Sequence, residues 1–128
     1  MAFTITVTSR LDFDEAVAAT REALSDEGFG VLTEIDVQAV LAARIGKHID
    51  RYVIVGACNP VIAARALDLE PQIGVLLPCN VVVQDLGGGR TEVAAIDPVA
   101  SMQAIENPAL KRAAEQVGAK LKKFIEGL

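Results

Sequence analysis

Two short segments of this chain set a thiol beside an amide: Cys58-Asn59 and Cys79-Asn80. Together they hold both cysteines of the sequence. A cysteine is a nucleophile or a soft-metal ligand only as the thiolate, and a helix N-terminus lowers its pKa by presenting unpaired N–H groups and the positive end of the dipole. Cys58 stands just before such a terminus, because Asn59-Pro60 is the cap-then-proline signal that opens a helix. It is therefore expected to be the more reactive thiol. The plainer reading is a small buried hydrophobe at a strand end, since free cysteine is among the most buried residue types.

Asn59 and Asn80 differ in how well structure alone explains them. Asn59 is accounted for as a helix cap. Asn80 falls inside a strand pattern, where asparagine is disfavoured and a buried amide needs partners. That makes Asn80 the better candidate for a ligand contact. The ligand-binding set expected from the residues is Cys58, Asn59, Cys79 and Asn80. Cys79 follows Pro78, and if the two strands are neighbours the sulfurs can face each other.

Other chemistries find little support. The cysteines are not in C-x-x-C spacing, the strong redox signal. His48, the single histidine, lies in a charged stretch, and structural zinc needs four Cys or His ligands. Two thiolates suit Cu(I), but no methionine is placed by sequence to assist. No metal and no cofactor are expected. Gly28 and Gly30 stand at a helix-to-strand passage, the reverse of a dinucleotide loop, and Gly87 to Gly89 join two strands. No G-x-S-x-G is present. Asp97 is more simply a helix cap than an acid catalyst.

The elements that must position these residues alternate. Residues 2–8 form a half-buried strand with Phe3, Ile5 and Val7 on one side. Asp12 with Glu15 makes a capping box, Leu11 staples onto Ala16, and the helix buries Phe13, Val17, Thr20 and Leu24 up to Gly28. Residues 29–35 return as a strand with Phe29, Val31 and Ile35 facing one way. Asp36 then caps a helix expected to bury Val37, Val40, Leu41 and Ile45, ended by Gly46. After a charged loop at residues 47–51, residues 52–58 are apolar throughout, as in a central strand covered on both faces. A short helix follows to about Leu69. Residues 74–85 read as one long strand, kinked at Pro78-Cys79 because proline needs an edge or a bulge. The Gly87 to Gly89 turn pairs residues 91–96 back antiparallel. Asp97-Pro98 and Asn107-Pro108 open further helices, the last with the stripe Leu110, Ala114, Val117, Leu121, Phe124 and Leu128.

The expected fold is α+β: a single domain over residues 1–128, in two layers, with helices on a mixed sheet of about five strands that ends in an antiparallel hairpin. A chain of 128 residues with 52% hydrophobic and 4% aromatic content builds an aliphatic core without staples. Its net charge of −5 argues against nucleic acid, which requires a basic surface. No apolar run approaches the roughly 20 residues of a membrane span, and no targeting segment is visible. The expected compartment is a reducing cytoplasm. Because the strand at residues 52–58 has no polar side to leave in water, a homodimer is expected.

Several of these residues also match a known pattern. The run Gly56-Ala57-Cys58-Asn59-Pro60 with Ala63-Ala64 after it, GVLLPCNV from Gly74 to Val81, and Asp97-Pro98 resemble the uncharacterised prokaryotic family catalogued as domain of unknown function 302. Gly28-Phe29-Gly30-Val31 and Glu34-Ile35-Asp36 fit it too. The resemblance covers nearly the whole chain. It implies a two-layer α+β fold and a homodimer, and no established activity. No catalytic role comes with the matched positions Cys58, Asn59, Pro60, Pro78, Cys79 and Asn80. Three functions stay open: binding of a small molecule or anion near the two Cys-Asn segments, a thiol-dependent enzyme or redox sensor using Cys58 or Cys79, and a purely structural or interaction module.

Overall fold

The computed structural model describes residues 3–128, so Ala2 of the first expected strand lies outside the described residues. Five strands carry the frame: β1 (Thr4–Ser9), β2 (Gly30–Asp36), β3 (Tyr52–Cys58), β4 (Cys79–Gly87) and β5 (Arg90–Ile96). They lie in the order β1-β5-β4-β3-β2. Every pairing is antiparallel, so the mixture of strand directions expected from the helical connections does not occur. The helices are α1 (Phe13–Asp26), α2 (Val37–Ile45), α3 (Pro60–Leu69), α4 (Pro98–Ser101) and α5 (Pro108–Glu126). The architecture is the expected two-layer α+β fold.

The caps sit where short polar residues precede the helices. Asp12 accepts from the backbone N–H of Glu15 at 2.8 Å, Asp36 from Ala39 at 2.9 Å, and Asn107 from Ala109 at 3.0 Å. Each satisfies a donor that the first helical turn cannot pair internally. From these ends α1 and α5 run across one face of the sheet. Phe13, Ala16, Val17 and Leu24 of α1 and Leu121, Phe124 and Ile125 of α5 meet Val55, Ala57, Val81, Val83, Val93 and Ala95. A second, smaller cluster joins Ala66 of α3, Ile73, Met102, and Leu110 and Ala114 of α5. Helix α5 thus belongs to both clusters, its N-terminal half in one and its C-terminal half in the other.

Three expectations are corrected. First, residues 74–85 are not one strand. Pro71–Leu76 is a short 3-10 helix, the Leu77-Pro78 peptide is cis, and β4 begins at Cys79. Ile73, buried in the second cluster, anchors that turn, and Pro78 has no N–H to give a ladder. Second, Val31 and Ile35 do not face one way. The register slips between Val31 and Thr33, so Val31 pairs with Ala57 on the covered face and Ile35 with Ile54 on the other. Third, α2 has no fully buried residue: Val37 and Leu41 are half-buried, and Val40 and Ile45 are exposed. Among the described residues no helix is long and apolar enough to cross a membrane.

Candidate functional site

Cys58 ends β3 and Asn59 caps α3, its Oδ1 accepting from the Ile62 N–H at 3.2 Å. The Asn59 Nδ2 lies over Gly28, where an added Cβ would sit 3.5 Å from it. Gly28 itself has φ +83°, a left-handed conformation natural to glycine at a helix end. One strand over, Cys79 pairs in register with Ala57. The chain therefore carries both sulfurs to the same end of the sheet, where β3 passes into α3 and β4 begins.

What they meet there is a cavity of about 30 Å³. Cys58, Asn59 and Cys79 line it together with Phe29, Met102 and Ala114, and α3 and α5 wall it with Ile62, Ala63, Ala113 and Val117. It lies at the seam between the two hydrophobic clusters, since Phe29 and Cys79 belong to one and Met102, Leu110 and Ala114 to the other. No charged side chain lines it.

This setting reverses the expected thiol chemistry. Burial pushes the Cys58 thiol up from its ordinary value. Cys79, only 8% exposed, is pushed up to about 11, by burial first and then by Cys58 beside it. The helix N-terminus does not rescue Cys58, because the Asn59 side chain already occupies the Ile62 donor and the sulfur looks onto apolar walls. Both are free thiols and stay protonated at neutral pH.

Asn80 is not part of this site. It points the other way from Cys79 along β4, is exposed, and shares a shallow depression with Tyr52, Val82 and Gln84 on the opposite face of the sheet. Because it is exposed in the single chain, its amide does not need buried partners. His48 is exposed in the loop between α2 and β3. Among the described residues no three His, Cys, Asp or Glu side chains converge as a metal site would require. Met102, Phe29 and Ala63 are cavity residues that the sequence did not assign to the site.

The profile of the family described as "Domain of unknown function DUF302" matches residues 5–128. The chain belongs to the DUF302 family. The crystal structure of an uncharacterized conserved DUF302 protein from Bacillus stearothermophilus superposes on this DUF302 domain with a TM-score of 0.90. The two are 30% identical, and the match covers 98% of each chain. No curated protein matches the sequence.

Proposed function

We propose that this DUF302 domain binds a small molecule whose end enters the cavity behind Asn59, and that the group entering it is uncharged and apolar rather than a bare anion. The supporting observation is the convergence of Cys58, Asn59 and Cys79 on a cavity between sheet and helices that no charged side chain lines. An anion placed there would lose its hydration with no cation to compensate. Protonated thiols favour binding over nucleophilic attack, so a thiol-dependent enzyme or redox sensor is the second reading and a structural module the third. The test is thermal denaturation with 1-hexanol, run beside native-state maleimide labelling. The expected result is a raised melting temperature and no labelling of either thiol before unfolding, with the shift lost in Ala63→Leu, whose side chain fills the cavity. No shift in wild type favours the structural module, and rapid labelling of Cys58 at neutral pH favours the thiol enzyme.

We also propose that two copies of the chain associate through the sheet face opposite α1 and α5. By register this face carries Ile35, Ile54, Val82 and Ala94 in one row, with Tyr52 and Ile96 beside them. Strand β2 has no buried residue, and Leu32 within it is 63% exposed. An apolar surface of this kind marks an interaction site. By strand alternation the charged residues that β5 gives this face are Arg90 and Glu92, one of each sign, toward its hairpin end. Such a surface does not repel its own copy across a two-fold axis, as an isologous dimer requires. A sedimentation experiment should show dimers at micromolar concentration and monomers, still folded by circular dichroism, for Ile35→Glu combined with Val82→Glu. A wild type that sediments only as a monomer refutes the proposal.

A further inference from the structure

We infer that the ligand is amphipathic: an alkyl monocarboxylate whose head group is held by Arg65 and Arg112 outside the cavity. The inference rests on the cavity being a binding site.

Helices α3 and α5 lie side by side, and along their outer seam runs a groove of about 240 Å³. Ile62 and Ala113 line both this groove and the buried cavity, so they are the partition between the two. On the α5 side that partition is one methyl group, and Ala109 a turn earlier keeps the furrow open. Arg65 stands three residues after Ile62 on α3, and Arg112 directly before Ala113 on α5; both line the groove. Two arginines from different helices thus line the groove on the outer side of that partition.

Arg21 is bound to Glu34 and Arg51 to Asp14. Arg65 and Arg112 share with Arg10, Arg44 and Arg90 the lack of an ion pair among the described residues, in a chain of net charge −5. What distinguishes them is that both line one groove beside the cavity. The groove's other polar side chain, Gln116, is neutral. A planar fork of donors matches a carboxylate by charge and by geometry. The groove accommodates the head and most of a short chain, while the 30 Å³ cavity has room for little more than a terminal carbon. This division explains how an anionic compound is served by a cavity that contains no charge.

Calorimetric titration with hexanoate and 1-hexanol, on wild type and on Arg65→Ala combined with Arg112→Ala, tests the assignment. Hexanoate should bind wild type roughly tenfold more tightly than hexanol does, as charged hydrogen bonds add to the apolar term. The double variant should lose that advantage, bind hexanol as before, and melt at the wild-type temperature without ligand, because both arginines are exposed. Equal binding of the two probes to wild type, or undiminished hexanoate binding to the double variant, overturns the head-group assignment and leaves the cavity reading standing. Binding of neither probe overturns both.

Discussion

Strands β2 and β5 have equal length and opposite fates. In β5 the residues Thr91, Val93 and Ala95 are buried in strict alternation, under α1 and α5. In β2 every residue is exposed within the single chain, although Val31, Leu32 and Ile35 are as apolar as anything in β5. Strand β5 has a neighbour on each side and a helix layer above it; β2 is an edge strand with a register slip. Hydrophobicity along a strand records that a surface is to be covered, not which element covers it. In β5 the cover is the same chain, and for β2 we have proposed a second copy.

Truncation should sharpen this contrast most. Val93→Ala removes buried packing from β5, and a loss of roughly 1.5–3 kcal/mol is expected in chemical denaturation. Leu32→Ala on β2 should cost at most about 0.5 kcal/mol in the monomer. A larger loss that grows with protein concentration would place Leu32 in the dimer contact.

Gly56 in β3 lies between the two regimes. A Cβ there would fall onto Thr33 Oγ1 of β2 and within 2.9 Å of Pro78 Cγ. Gly56→Ala should therefore cost about 1–3 kcal/mol by overpacking. A neutral result would mean that β2 moves freely against β3. At the end of the same strand, Asn59→Ala should cost about 0.5–2 kcal/mol and Pro60→Ala less, since only the asparagine pairs a helix donor. Equal melting curves for Asn59→Ala and wild type would count against the cap as a stabilising element.

The smallest effect concerns pH. Cys79 ionises at an ordinary value of 9.0 when unfolded and at about 11 when folded. The protonated thiol therefore favours the folded state, fully below about pH 9, and the advantage fades as the pH rises toward 11. Cys79→Ala should flatten that alkaline decline relative to wild type. An unchanged decline would show that other groups cause it.

Much of this was legible in the sequence. Asp12, Asp36, Asn59, Asp97 and Asn107 all cap where a short polar residue meets a helical pattern, because capping is decided within one turn of chain. Family membership was legible too, from the Cys-Asn runs. What failed depended on distant partners. The apolar run before Cys79 suited a strand, but packing of Ile73 against Met102 and Leu110 made it a 3-10 turn. Val31 and Ile35 were separated by a slip of register that no local pattern signals. Cys58, Asn59 and Cys79 line one cavity, a meeting that the sequence left conditional on their two strands being neighbours, while Asn80 went to the opposite face by the ordinary alternation of a strand. The lowered pKa that the helix N-terminus suggested for Cys58 does not occur, and burial, the plainer reading, prevails, because desolvation depends on walls contributed by α5, far along the chain.

The strand order also has a consequence in time. Thr4 near the start of the chain pairs with Ile96, and β1 touches no other strand. As the protein emerges from a ribosome, β1 has no partner until β5 has followed it out. The segment must stay without its sheet partner while the residues up to Ile96 follow it. Its alternating threonines, Thr4, Thr6 and Thr8, keep one side hydrated during that wait. Closing so distant a contact carries a late entropic cost, so docking of β1 should be among the slowest steps of folding.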